Sequence, residues 1–422
     1  MNIQTNNTVE SRFFAPVIKA LEEVNAKSRR QCPVFTDLQY LRLGIGRVME
    51  TVVSGRDWVQ SVAMSDLELS VGTFFTALRS QRRTDRVRYV RNHVRWQADR
   101  SCPKQEDLLS AHPELDGYDI YASDGHYEKA ASHMPAVEGK VHPQCCFFSL
   151  NLRTHSISPL DIARPELKKE HDMHALKRLS VEEIRLGAPV GRRVVHVYDP
   201  AGIDYAQWAI WKAKGVYLIS REKENSAAIV TGVLNFDKMN PRNAGVISDE
   251  LVGVFCGMLF RRVKYRDAAT GTEYSYITNL MELPPGLIAF IYKCRWNVEK
   301  VFDEKKNSLF EAKNWGISEQ ARLQQACFVC LAHNLMLILE RQLGEEGIYD
   351  EKVIKRREKR ERALIAAILT GGGVPNVMAI KGNGITKRSL QFIRWLRDCL
   401  RKATPWEAGI VALRPLMKAY MT

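Results

Sequence analysis

The sequence has 422 residues, 45% hydrophobic and 26% charged, with 62 Lys and Arg against 48 Asp and Glu for a formal net charge of +14. That composition excludes a disordered chain, and the positive surplus points to a polyanionic partner, either nucleic acid or an anionic membrane surface. The longest apolar stretch, Ala326 to Leu339, is shorter than the about 18 residues that span a bilayer and is broken by His333 and Asn334; the N-terminus has no basic start followed by an apolar core. Neither a membrane protein nor a secreted one is expected. Nine cysteines without a repeating spacing fit a reducing compartment, and Cys327, Cys330 and His333, in one apolar helical run, read as core residues rather than a metal site.

The first hundred residues read as helical. Apolar residues recur at three- and four-residue spacing behind the capping pair Thr36-Asp37. Ser70 opens a further helix that passes into the segment Arg79 to Arg100, which holds eight arginines, no lysine, and only Asp85 and Asp99 as acids. This reads as a short helix-turn-helix-like module with a basic second helix. Because arginine is the better bidentate phosphate ligand, DNA contact by Arg79, Arg82, Arg83 and Arg86 is expected, a solvated amphipathic helix being the alternative. Residues 341–422 are the other basic region, with 17 Lys and Arg against eight acids, whereas 101–340 hold 29 against 30. A neutral centre between basic arms suits a protein whose middle does chemistry on something the arms hold.

From about Gly117 the pattern turns to strands. Three β-type runs, beginning at Tyr118, Cys145 and His155, predict an antiparallel meander. A polar helix near 168–186 follows, then a strand at Arg193-Val-Val-His-Val-Tyr, a helix at 204–213 with Trp208 and Trp211 on one face, and a strand from Gly215 to Arg221. Together these predict an α/β sheet of mixed direction. Residues 222–284 are β-rich and read as an insertion; after Pro284-Pro285 the chain is helical. The expected division is a helical DNA-binding region at 1–112, an α/β domain at 113–340, and a helical basic region at 341–422 for DNA contact or dimerisation.

Candidate chemistry sits at strand ends. Asp124, in Tyr-Ala-Ser-Asp-Gly-His, and Asp199, in Val-Tyr-Asp-Pro, stand where a carboxylate can ligate a divalent cation, though each alone also suits an ordinary turn. Leu287 to Lys306 predicts one helix on which Tyr292, Arg295, Glu299 and Lys306 share a stripe about 60° wide. Glu299, in the middle of that stripe, can complete a metal site with Asp124 and Asp199, leaving Arg295, Lys305 and Lys306 for phosphates and Tyr292 for packing or hydrogen bonding.

The spacing Tyr292, two residues, Arg295, three residues, Glu299, six residues, Lys306 resembles the signature of the IS-four-type DDE transposases of prokaryotic insertion sequences. Thr278-Asn279-Leu280, Arg295-Trp296, Phe302 and the Gln-containing helix with Asn334-Leu335 are similar to that family's usual neighbours, and the resemblance covers about residues 115–340. It implies an α/β fold with a ribonuclease H-like catalytic core, a β-rich insertion and helical flanks. It further implies that Asp124, Asp199 and Glu299 hold two Mg2+ ions roughly 4 Å apart, Mn2+ being able to substitute, for cleavage of element ends and their joining to target DNA. The implied partners are double-stranded DNA, as terminal inverted repeats and as target, and a second copy of the chain in a DNA-bound homodimer in the prokaryotic cytoplasm at the nucleoid.

The alternatives are a silent DNA-binding relative and a ribonuclease H-like nuclease that does not join strands. His126 stands where the family often has Ser or Thr, and Pro200 where it often has Arg. Asp204, at a helix start, reads as a cap rather than as the second catalytic aspartate. In the C-terminal region, the charge run Lys352 to Arg362 reads equally as a DNA-contacting or a solvated helix, and Gly371-Gly-Gly-Val-Pro as a hinge.

Overall fold

The computed structural model describes residues 7–25, 35–50, 54–63, 70–104, 107–131, 133–162, 172–254, 257–267, 270–295, 298–299, 313–348 and 390–420. Its centre is a sheet. Strands β1 (Tyr118–Glu128), β2 (Gln144–Asn151) and β3 (Ile157–Ile162) form the antiparallel meander; β4 (Arg193–Tyr198) lies parallel to β1, and β5 (Val216–Arg221) parallel to β4. The order β3-β2-β1-β4-β5, with helices on both faces, is the ribonuclease H-like arrangement. The polar helix expected near 168–186 is two short ones, α6 (Asp172–Lys177) and α7 (Val181–Ile184), because Ser180 starts a new helix through a capping box with Glu183.

The β-rich insertion continues the same sheet. Strand β9 (Glu273–Thr278) pairs antiparallel with the outer edge of β5, and β8 (Met258–Arg266), β7 (Val246–Val254) and β6 (Ile229–Val233) follow, making nine strands. Thr278 and Asn279 seal the seam. Thr278 Oγ1 donates to the Leu218 carbonyl at 2.6 Å, Asn279 Oδ1 accepts from Leu218 N at 2.8 Å, and Asn279 Nδ2 donates to the Trp208 carbonyl at 2.9 Å. Trp208 and Trp211, on the expected helix Tyr205–Lys212, are both buried against this sheet.

The helix Glu319–Glu345 organises the remainder. Its Phe328, Leu335 and Leu339 join a helical core with the N-terminal helices, while Ala326 and Cys330 join the core beneath the sheet. This 27-residue helix is long and apolar enough to cross a membrane, yet 89% of its apolar window is buried in the protein, which is what burial on both sides requires. Cys327, Cys330 and His333 are buried within it, as expected. Asn334 behaves as a substitute strand: its amide oxygen accepts from Ile157 N at 2.9 Å and its nitrogen donates to Ile157 O at 3.0 Å, covering the edge strand β3.

The two ends of the chain meet. Thr8 bridges to Pro405, Trp406 and Phe392 share a core with Val9 and Phe13, and Arg397 and Arg401 both reach Glu50. The expected N-terminal and C-terminal regions therefore share one helical core, which their separation in sequence conceals. Lys352 to Arg362 and the segment Gly371 to Pro375 lie outside the described residues.

Candidate active site

Strands β1 and β4 run in register, Tyr121 opposite His196 and Ala122 opposite Val197. Asp124 and Asp199 each follow two residues beyond this last registered pair, Asp199 just past the end of β4. Side chains on a strand alternate between faces. Ile120 and Ala122 on β1, and Val195 and Val197 on β4, all enter the core beneath the sheet, so both aspartates project to that same face. Asp199 Oδ1 accepts from Ala201 N at 2.9 Å, capping the short turn Pro200–Gly202 just past the end of β4. The expected strand end at Asp124 is corrected: Asp124 lies inside β1, opposite Phe148, because β2 keeps β1 extended as far as Glu128, and its Oδ1 accepts from Gly125 N at 2.8 Å. Asp204 caps the next helix through Gln207 N at 2.9 Å and pairs with Lys177, the cap role expected for it.

The helix that follows Pro284, α9 (Pro285–Cys294), lies on the same face. Its first turn is pressed against the loop at 241–243: a Cβ on Gly286 would come within 1.6 Å of the Arg242 carbonyl oxygen, and Gly286 N donates to Asn243 Oδ1 at 3.1 Å. The single helix expected from Leu287 to Lys306 is broken near Arg295. There Arg295 N bonds to Tyr292 O and Val298 N to Arg295 O, both at 3.0 Å, and such three-residue steps tighten the backbone out of the α-helical path.

Three signature residues nevertheless meet. Arg295 Nη2 donates to Glu299 Oε1 at 2.8 Å, Arg295 Nη1 lies 4.0 Å from Asp124 Oδ2, and the guanidinium stands 5.8 Å from the centre of the Tyr292 ring. Burial works against the Arg295 charge, but Tyr292, Glu299 and Asp124 outweigh it and raise its pKa. Burial also pushes the Tyr292 phenol up, with Arg295 opposing. Lys305 and Lys306 lie outside the described residues.

Among the described residues, no three His, Cys, Asp or Glu side chains stand close enough to enclose a metal ion as they are. The donor set still suits a hard divalent cation, since Asp124, Asp199 and Glu299 offer only carboxylate oxygen. The cation present, the Arg295 guanidinium, lies between Asp124 and Glu299 and marks where negative charge concentrates. Beyond Asp124, His126 and Glu128 are buried on β1, so His126 is not a surface histidine. Gln325 donates to Glu128 at 3.2 Å and Arg322 to Gln144 at 3.0 Å, tying the far end of the β1–β2 pair to the central helix.

The arginine-rich segment is the helix α5 (Gln81–Arg100), set behind α4 (Val71–Ala77) as expected, but it is embedded. Val87, Val90, Val94 and Ala98 enter the helical core. Arg82, Arg83 and Arg86 converge on the buried Asp37 at the start of α2 (Asp37–Met49): Arg82 Nη2 at 2.7 Å, Arg86 Nε at 3.8 Å, and Arg83 in a close pair. Arg83 also donates to the Phe35 carbonyl and packs over Phe35 and Tyr40.

The arginines Arg82, Arg83 and Arg86, expected at DNA, thus have a partner within the protein, a carboxylate far earlier in the chain that no local periodicity reveals. Arg95 likewise turns inward to the Leu186 carbonyl at 2.7 Å. The exposed face of α5 carries Gln81, Asp85, Arg88, Asn92, Trp96 and Arg100, with Arg79 exposed just before it; Trp96 is 48% exposed with Arg100 stacked 4.4 Å from its ring centre. Sequence reasoning missed Trp96, although its four-residue spacing from Asn92 and Arg100 marks that face.

Residues 148–335 match the family model described as the transposase DDE domain. The match contains Asp199, Tyr292, Arg295 and Glu299 and begins beyond Asp124. No curated protein matches the chain. Among solved structures, the chain is similar to a piggyBac transposase seen by cryo-electron microscopy in a synaptic complex with hairpin DNA, at 13% identity and a TM-score of 0.39 over 94% of this chain and 85% of that one. At that score the fold rests on the strand order, not on the likeness.

Proposed function

We propose, proceeding from the transposase DDE domain that residues 148–335 carry, that this chain cleaves the ends of an insertion sequence and joins them to target DNA. Such a domain is an enzyme that acts on DNA and depends on a divalent metal. The finer reading concerns how this chain does it. Asp124, Asp199 and Glu299 are the carboxylates that would hold the metal, with Mg2+ as the ion and Mn2+ as a substitute. Bound there, the metal supplies activation of the attacking oxygen and stabilisation of the leaving one.

The chain's own residues do the rest. Arg295, within reach of both Asp124 and Glu299, places a fixed positive charge beside the scissile phosphate, and Tyr292 packs against it. The signature assigns Lys305 and Lys306 to phosphate as well. Arg88, Trp96 and Arg100 on the outward face of the arginine-rich helix, with Arg79 just before it, hold the DNA backbone, while Arg82, Arg83 and Arg86 hold that helix to Asp37. Joining two ends in one cut-and-paste event calls for two copies of the chain on DNA.

One observation supports this reading above the others: Asp124 and Asp199 each stand two residues beyond the last registered pair of β1 and β4, on the face from which Arg295 reaches both Asp124 and Glu299. The test supplies labelled DNA ends with Mg2+ and follows nicked and joined products. Asp124→Asn and Glu299→Gln are expected to bind ends normally and to lose cleavage by roughly a thousandfold or more. Retained cleavage in either variant removes the carboxylate assignment. Cleavage by the wild type without joined product makes the chain a nuclease, and binding alone makes it a silent relative.

A further inference from the structure

Behind the carboxylates, on the opposite face of the sheet, four elements are tied by one line of hydrogen bonds. Ser149 on β2 and Ser123 on β1 face each other in register with their hydroxyl oxygens 2.8 Å apart. Ser123 Oγ lies 3.0 Å from His196 Nδ1 on β4, and His196 Nε2 lies 2.7 Å from the Ile184 carbonyl at the end of α7. The His196 ring is wholly buried between Tyr121 and Tyr198, stacked at 25° and 9° to them.

The direction of every proton along this line follows by exclusion. A carbonyl only accepts, so His196 Nε2 carries the hydrogen. A buried neutral imidazole has one hydrogen, so Nδ1 accepts, and Ser123 must donate to it. The Ser123 oxygen is then the acceptor for Ser149. The line runs one way, with no slack and no alternative donor within it.

Its position matters more than its energy. The backbone ladder between β1 and β4 ends at Ala122 and Val197, short of both aspartates. The Ser123–His196 bond comes next, one residue before Asp124 and three before Asp199. Beyond that pair β1 stays in the ladder with β2 but has no backbone bond to β4, which ends at Tyr198; strands no longer joined can twist apart, and here a side-chain bond on the back of the sheet takes over where the β1–β4 backbone bonds stop.

We infer that Ser123, His196 and Ser149 are positioning residues that fix Asp124 relative to Asp199, and thereby set the affinity of the carboxylate pair for a divalent cation. The inference rests on the carboxylate reading above. None of the three can touch DNA, since all are buried behind the site. Outer residues that orient ligating carboxylates typically change metal affinity by about 10- to 100-fold when removed.

The test uses the full-length protein with Mn2+ as the probe, its binding followed by electron paramagnetic resonance and its concentration dependence followed in end cleavage. Ser123→Ala is expected to bind DNA ends as the wild type does, yet to need about tenfold more Mn2+ both to bind and to reach half-maximal cleavage. Ser123→Thr, which keeps the hydroxyl, should restore the wild-type value. A purely structural role would lower the folded fraction and leave the half-saturating Mn2+ concentration where it was. If Ser123→Ala does not fold, Ser149→Ala removes only the outermost donor and should shift Mn2+ affinity in the same direction by less. Wild-type Mn2+ affinity in whichever of these variants folds overturns the inference. Asp124→Asn separates the two layers: full Mn2+ binding in that variant overturns the carboxylate reading itself, whatever the serines do.

Discussion

Two clusters in this protein mix arginine with carboxylate in opposite proportions. Around Asp37, three guanidinium groups share one buried carboxylate, with Asp37 and Arg83 both nearly sealed from solvent. Beside Asp124 on β1, one guanidinium, Arg295, is shared by two carboxylates, and there Glu299 is 36% exposed and Asp124 24%. The first cluster is closed and in positive excess, so it serves as a strut between α2 and α5. The second is open and in negative excess, so it has room for a further cation and for a phosphate brought with it. Local proportion and access separate the two roles; the density of arginine along the chain does not.

The comparison breaks most visibly at Asp37. Asp37→Ala strands buried guanidinium charge and should lower stability by about 3–5 kcal/mol in urea denaturation. A loss below about 1 kcal/mol would return Arg82, Arg83 and Arg86 to the surface role expected from sequence. Next in size is Gly286→Ala, where the added methyl meets the Arg242 carbonyl. We expect about 1–3 kcal/mol of lost stability together with slowed cleavage, because α9 carries Tyr292 and Arg295. An unchanged melting temperature and rate would show that the 241–243 loop does not set the position of α9.

A pH titration sharpens the contrast between closed and open regions. Burial pushes His196 and His112 down to about 4, so both are neutral in the fold. The unfolded chain protonates them from about pH 6.5, so unfolding takes up protons between these values, and stability should fall as the pH drops from about 6.5 toward 4. His112→Gln should flatten part of that slope in thermal melts followed across pH; an unaltered slope would remove His112 from the account. The smallest effect on stability is expected from Arg88→Ala with Arg100→Ala, within about 0.5 kcal/mol. The same double variant should weaken DNA binding and reduce its salt slope by about 0.9 for each phosphate that is no longer neutralised. An unchanged slope would take the outward face of α5 out of the interface.

Much of the site was legible before any coordinates. Asp199 stands, as expected, just past a strand end beside Pro200 and caps the turn that follows, whereas Asp124, read from Asp-Gly as a second strand end, lies inside β1 because β2 pairs with that strand as far as Glu128. The spacing of Tyr292, Arg295 and Glu299 brought these three together even though the helix expected to carry them breaks at Arg295. The break was not legible because a three-residue turn and an α-helix place i and i+3 side chains in nearly the same direction. His196 escaped notice because one polar residue inside Val-Val-His-Val-Tyr gives no hint of partners at Ser123 and Ile184. The insertion was visible as strands, but its attachment to the outer edge of β5 was not, because pairing is a relation between distant segments.

The sequence by itself determined what is local: which segments are strands and helices, and which side chains recur at signature spacing. It did so because periodicity and capping act over a few residues. The tertiary structure alone decided which arginines are taken up by Asp37, that the two chain ends share one core, and that β1, which carries Asp124, and β4, which leads into Asp199, pair in parallel. Those depend on residues tens to hundreds of positions apart coming together, where burial and charge pairing, not neighbouring sequence, select the partner.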